Sequence, residues 1–212
     1  MPGEIDAARF AGVLWAAVRG AGGPRPAGRL HRHFAGAFDP AWLESLPLPD
    51  AAAPPPGQPV ALLDARHEQF ERPRGAAALQ VAYAARPRTR VAEDIAYGQP
   101  GTWYALAAWH LSRLAGSSLH VTCSVFTSRY GDETFGAHRD TWYGVVVQMD
   151  GAKDWLIGEG LLGGSGPVQP VRTQAGDILL IPKALPHVVS TPADPGHSIH
   201  LAFAVDRDKP PR

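Results

Sequence analysis

The spacing of apolar residues changes character once along this chain. Up to about residue 118 it is helical, in pieces. Phe10, Val13, Leu14 and Val18 recur three and four apart behind Asp6, a residue type that caps helices. Asp39-Pro40 joins a cap residue to the proline that suits a first helical turn, and Trp42, Leu43 and Leu46 follow before Pro47 stops the run. Residues 101–115 (GTWYALAAWHLSRLA) set Trp103, Leu106, His110 and Leu114 along one side, with Gly116 where a helix end favours glycine. Residues 50–59 (DAAAPPPGQP) have linker composition, and the short apolar runs 60–63 and 79–82 suit strands.

From residue 119 the period falls to two. Eight short segments rich in β-branched and aromatic residues follow, at 119–127, 134–140, 142–149, 153–158, 167–172, 178–182, 187–191 and 197–205, punctuated by Gly, Pro or Asp. Asp150-Gly151 between two apolar runs predicts a hairpin turn. Eight strands with no long helix between them predict a mainly β fold with flanking helices and a jelly-roll core. The expected organisation is one compact domain: a mostly helical flank, 1–118, packed on a barrel, 119–212.

A chain of 212 residues with 45% hydrophobic residues can build one real core. Twenty basic residues balance twenty acidic ones, so no global charge draws the chain to nucleic acid or anionic lipid. Arg86, Arg88 and Arg90 (RPRTR) then read as a solvated basic loop. One cysteine, Cys123, excludes a disulfide framework and a cysteine-based zinc site within a single chain. No apolar run approaches the ~20 residues of a membrane span. Glu4 and Asp6 open the chain with no Lys or Arg before them, unlike a secretory signal, so a cytoplasmic protein is expected.

The informative stretch is Phe135-Gly136-Ala137-His138-Arg139-Asp140. On a strand His138 and Asp140 share a face and Arg139 takes the other. His187, after Gly176-Asp177 and Pro182, is the natural third ligand. Two imidazoles and a carboxylate on one face leave three coordination positions open, the arrangement of non-haem Fe(II) oxygenases. Lys153 is one of only three lysines beside 17 arginines. On the same sheet it can hold an anion as a point charge. By parity Trp142 shares the face of His138 and Asp140, where it is a candidate to pack on substrate or part of the barrel core, and His200 shares the face of Ser198, where it is a candidate cofactor-binding residue or a hydrogen-bonded core histidine. Arg129 is a candidate for an acidic substrate. His31 and His33 read as exposed, and Trp103 and Tyr104 as helix packing.

Together these residues resemble the core of the JmjC-type, cupin-fold 2-oxoglutarate oxygenases. The resemblance runs from Thr127 through His138-Arg-Asp140, Gln148, Gly151-Ala-Lys153 and Trp155, then Gly176-Asp177…Pro182…His187, to His197-Ser198-Ile-His200-Leu201. It covers about residues 119–205 and implies a double-stranded β-helix. His138, Asp140 and His187 match the family's iron ligands. Lys153, fifteen after the first His, matches the basic residue that pairs with the distal carboxylate of 2-oxoglutarate. Ser124, fourteen before that His, stands where some members carry a cosubstrate-binding Asn. Departures are Phe135 for a Thr, Ala202 and Ala204 for a Ser and Thr, and Ala184 for a Gly. The implied reaction converts 2-oxoglutarate and O2 to succinate and CO2 while hydroxylating an amino-acid side chain. The implied partner is a peptide, such as a natural-product precursor, a protein or a small molecule, with no nucleic acid. The short stretch after the last predicted strand favours a compact enzyme without the dimerisation and winged-helix regions of the ribosomal-protein hydroxylases. Two other readings stay open: a metal-dependent cupin enzyme, isomerase or direct dioxygenase, that does not use 2-oxoglutarate, and a non-catalytic β-barrel binding module.

Overall fold

A computed structural model describes residues 2–21, 30–48, 57–65, 71–98, 101–115 and 120–206. The helices are α1 (Pro2–Gly20), α2 (Pro40–Glu44), α3 (Ala76–Ala85), α4 (Ile95–Gly98) and α5 (Trp103–Leu114). The strands are β1 (Arg32–Phe34), β2 (Val60–Leu62), β3 (Arg90–Ala92), β4 (His120–Arg129), β5 (Tyr143–Ile157), β6 (Gln169–Gln174), β7 (Ile178–Ile181), β8 (His187–Ser190) and β9 (His197–Asp206). The major sheet runs β1-β7-β5-β9-β4-β3-β2, with every neighbouring pair antiparallel. The C-terminal half of β5 leaves it and pairs with β6 on one side and β8 on the other.

Period-two alternation divides the major sheet's side chains between two environments. Val125, Val145, Val147, Ile178, Leu180, Leu201 and Phe203 bury themselves against the helices. Phe10 of α1 anchors that layer, stacked on Phe38 at 4.8 Å and edge-on to Trp103 of α5 at 5.0 Å. On the opposite face Val146, Leu179 and Ile181 meet Trp155 and Ile157 from the second sheet. The two sheets therefore face each other, as a double-stranded β-helix requires, and the space between them holds the site.

Several expectations change in the structure. Residues 79–82 lie in α3, where an Ala-rich run favours helix over strand. Asp6 lies inside α1 rather than capping it, whereas Asp39 does cap α2, accepting from the Ala41 N–H. The buried face of α5 is Trp103, Tyr104, Ala107, Ala108 and Leu111, and Leu114 is exposed. Gly116 and residues 50–56 lie outside the described residues. Residues 134–140 form no ladder strand, only a bridge between His138 and His187. Segments 142–149 and 153–158 are the one strand β5. Asp150-Gly151 makes no hairpin turn: β5 continues through it, with a register shift in the β9 pairing at Met149, between Gln148 and Asp150. Gly151, just past the shift and opposite Ser198, takes the left-handed conformation at φ +65° that glycine allows.

The basic run 86–90 is not a solvated loop. Arg88 and Arg90 are buried, Arg88 paired with Glu71 and Arg90 lying 4.6 Å over the Tyr83 ring. Arg86 pairs with Glu133. His33 is exposed, as expected, and is also paired. It sits on β1 and contacts the Asp177 carboxylate at 2.9 Å, which also accepts the Gly36 and Gln174 N–H groups. No helix among the described residues is long and apolar enough to cross a membrane.

Candidate metal centre and polar pocket

His138 and His187 are brought together by backbone. Each donates its N–H to the other's carbonyl at 3.0 Å, so the two side chains leave on the same side. Their rings lie 4.2 Å apart. Asp140, two residues on, is held by its own carbonyl, which accepts the N–H of Ala184 in the turn before His187. Ala184 takes the left-handed conformation, φ +63°, in the place the resemblance assigns to glycine.

Ring hydrogen bonds fix which nitrogens face the centre. Nδ1 of His138 lies 2.9 Å from the Gly136 carbonyl and Nδ1 of His187 lies 3.0 Å from that of Leu185. A carbonyl only accepts, so Nδ1 carries a proton, which leaves Nε2 as the nitrogen with a lone pair to offer a cation. Those two Nε2 atoms stand 3.7 and 3.6 Å from the two oxygens of Asp140. These gaps exceed hydrogen-bond length and suit three donors around a shared cation. The three groups lie within 4.8 Å of one another, and they form the one such cluster among the described residues. Burial pushes the Asp140 carboxyl above its usual range, with His187 opposing. A desolvated carboxylate between two imidazole Nε2 atoms, each ring backed by a carbonyl at Nδ1, is a donor set that fits a divalent ion.

Past Trp155, whose ring lies 6.1 Å from that of His187, the interior is polar. Lys153, Trp155 and Ile157 point inward from β5, and Lys153 has no exposed surface. Its Nζ donates to Ser128 Oγ at 2.8 Å and Thr191 Oγ1 at 3.0 Å, and those hydroxyls lie 2.7 Å apart. Burial pushes the Lys153 ammonium down to about 8, with Asp132 and Asp154 opposing. Trp155 Nε1 donates to Thr173, whose hydroxyl donates to Gln148, whose amide donates to Ser198. His200 is buried in the same interior, flat on Phe126 at 4.8 Å and edge-on to Trp155 at 5.9 Å.

The structure thus gathers His138, Asp140 and His187, and places Lys153 and His200 in the adjoining interior. Ser124 shares the inward face of β4, but its hydroxyl accepts the Asp94 N–H at 3.2 Å. Trp142 precedes β5 and is 40% exposed. Arg129 is exposed at the end of β4, with its backbone N–H donated to Asp132. The sequence reading missed Ser128 and Thr191. Parity carries both, since Ser128 lies four residues beyond Ser124 and Thr191 four beyond His187.

A family model for the JmjC domain matches residues 102–173. No curated protein matches the sequence. The fold is similar to crystal structures of YcfD, a ribosomal oxygenase from Escherichia coli. In its complex with cobalt and 2-oxoglutarate the TM-score is 0.60 at 15% identity, covering 92% of this chain and 52% of that one. In its complex with cobalt and succinic acid the TM-score is 0.61 at 15% identity, covering 84% and 48%. The chain spans about half the length of these neighbours. At that identity the likeness shows the fold: a JmjC-type, cupin-like arrangement of antiparallel strands with flanking helices.

Proposed function

From a JmjC-type β-helix that converges two imidazoles and a carboxylate, we propose an Fe(II)- and 2-oxoglutarate-dependent oxygenase that hydroxylates an amino-acid side chain. The observation that carries this reading is the pairing of the cation-sized His138–Asp140–His187 cluster with a sealed ammonium at Lys153. A bare metal site needs no such cation beneath it. A diacid bound at the metal does.

His138, Asp140 and His187 would hold the iron, leaving positions for an oxo acid and dioxygen. Bound iron and 2-oxoglutarate would supply the oxidising power, with succinate and CO2 as co-products. The chain's own residues do the positioning. The Gly136 and Leu185 carbonyls keep both imidazoles in the neutral tautomer that ligates. Lys153, with Ser128 and Thr191, offers a charge and two hydroxyls to the distal carboxylate. Trp155 and Phe126 exclude water from the chain between. The metal end is partly exposed at His138 and Asp140, whereas the lysine end is closed. Substrate therefore approaches from the metal side, past Trp142. The proposed substrate is a peptide or protein side chain, with a natural-product precursor peptide included and a small metabolite as the smaller case. The proposed setting is the cytoplasm.

Iron-dependent succinate release from 2-oxoglutarate, measured with the wild-type chain and His138→Ala, tests the reading. The wild type should retain divalent metal and turn over 2-oxoglutarate, and the variant should lose both. Equal metal content in the variant would remove the assigned centre. Retained metal with no 2-oxoglutarate turnover, whatever peptide is supplied, would favour a metal-dependent cupin isomerase or direct dioxygenase instead.

A further inference from the structure

The arginines at the corner of α3, β3 and β4 are not treated alike. Arg72, Arg86 and Arg88 each meet a carboxylate, that of Glu93, Glu133 and Glu71 in turn. Arg90 does not. It is 8% exposed, yet among the described residues its guanidinium donates no hydrogen bond and pairs with no acid. Its charge lies 4.6 Å over the Tyr83 ring. A ring face attracts the cation but leaves the N–H groups, which lie in the guanidinium plane, without acceptors. Nε is sealed from solvent with no partner, so the open edge of the fork is the terminal Nη pair. Arginine does not escape such a position by losing its proton, and a buried cation without acceptors is costly.

Register shows what stands beside it. Arg90 pairs with Thr127 across β3 and β4, and Arg129 lies two residues further along β4. Residues so related share a face, and the diagonal pair lies about 7–8 Å apart, within reach of long side chains. That face is the helix side: Val125, of the same parity, packs in the core beneath the helices, whereas Ser128 points inward to Lys153. Arg129 thus stands on the opposite face of the major sheet from Lys153. Its guanidinium and the Thr127 hydroxyl have no partner among the described residues either. Asp132 is the acid at this corner, and its oxygens are taken, one by the Tyr83 O–H at 2.8 Å and the other by the Arg129 backbone N–H at 2.8 Å. Burial and Asp132 push the Tyr83 phenol up, and Arg90 and Arg129 both oppose, which places the two cations around that one ring.

We infer that Arg90, Thr127 and Arg129 form an oxyanion-binding site, on the face of the major sheet turned away from the metal centre, that takes a phosphate or carboxylate group of a small ligand. The Nη edge of Arg90 supplies a bidentate fork, Arg129 a second charge from the rim, and Thr127 a hydroxyl beside both. The bound anion provides the acceptors that the fold withholds from Arg90. The site stands whether or not the chain is an oxygenase.

The test titrates the full chain with inorganic phosphate and, separately, with acetate, against sodium chloride of equal ionic strength, reading heat of binding and melting temperature. Wild type, Arg90→Met, Arg129→Met and Lys153→Met are compared, methionine keeping an apolar chain on the Tyr83 ring while removing the fork. Phosphate or acetate should raise the wild-type melting temperature beyond chloride. Arg90→Met should bind about ten- to a hundredfold more weakly. Arg129→Met, at the exposed rim, should bind about two- to fivefold more weakly. Lys153→Met should bind as wild type does, because its ammonium lies on the other side of the sheet. Tighter binding of phosphate identifies a phosphate ligand, and equal or tighter binding of acetate a carboxylate. Should Arg90→Met fail to fold, Arg90→Lys, which keeps the charge and loses the fork, takes its place and should weaken binding in the same direction. A wild type that responds no more to either anion than to chloride overturns the inference. So does binding that the Arg90 variant retains in full or that Lys153→Met abolishes.

Discussion

Lys153 has a consequence that can be measured by pH. Burial depresses its folded-state value to about 8, below the ordinary lysine value of the unfolded chain. Asp132 and Asp154 favour its charge, and His200, neutral in the same interior, adds no competing charge. As pH rises through about 8 the ammonium is lost, and an anion bound to it loses its counter-charge. KM for 2-oxoglutarate should therefore climb above pH 8, and a Lys153→Met variant should show a high KM without that climb. Stability has the opposite sign. Between about 8 and the unfolded lysine value, the unfolded chain binds more protons than the folded one, so this group makes the fold more stable as pH rises. Urea midpoints from pH 7 to 10 would follow it, with Lys153→Met lacking the rise. Lys153 was legible in the sequence because lysine is rare in an arginine-rich chain. The same bias hid Arg88 and Arg90, which looked like surface charge and instead meet Glu71 and the Tyr83 ring. Ser128 and Thr191 were hidden by type, since hydroxyls are common and only the final strand positions reveal two that touch one ammonium.

At the level of elements, β5 does what two strands were expected to do. Its first half belongs to the major sheet and its second half to the minor one, and Asp150-Gly151 marks the crossing. A Cβ on Gly151 would stand 2.2 Å from the His197 carbonyl oxygen, and the backbone there is left-handed. Gly151→Ala should cost roughly 2–4 kcal/mol from overpacking and strain, read as a lowered denaturant midpoint. Hydrophobic periodicity could not separate a register shift from a turn, because both interrupt the same alternation. It also could not place α3. The run 76–85 is short and apolar, and only its pattern of exposure, with Val81 open and Leu79 buried, reveals the helical period. The strands β4, β6, β7, β8 and β9 were legible within a few residues, since each carries a clean alternation or a β-branched run bounded by Gly, Pro or Asp.

For the whole molecule, the helices stiffen one face of the major sheet while the candidate metal ligands sit on the other side, largely outside regular structure. Divalent metal should then act as a folding ligand. At about a hundredfold excess over its dissociation constant it adds ~2.7 kcal/mol, or roughly 5–10 °C of melting temperature for a chain of this size. Calorimetry with Co(II) and after chelation should show that difference in wild type and little of it in Asp140→Ala.

The single rung between His138 and His187 extends this to kinetics. Residues 134–140 form no ladder strand and are tied to the barrel by that bridge, by the Ala184 N–H on the Asp140 carbonyl, by the Thr134 hydroxyl on the Val189 carbonyl and by the Arg139–Glu159 pair, so an ion bound at His138, Asp140 and His187 would add one strong tie to a short set. Chelation should loosen this segment, and a protease should nick the metal-free chain near Phe135–Trp142 faster than the metal-loaded form. Metal status would thereby become a survival signal, with idle copies cleared first.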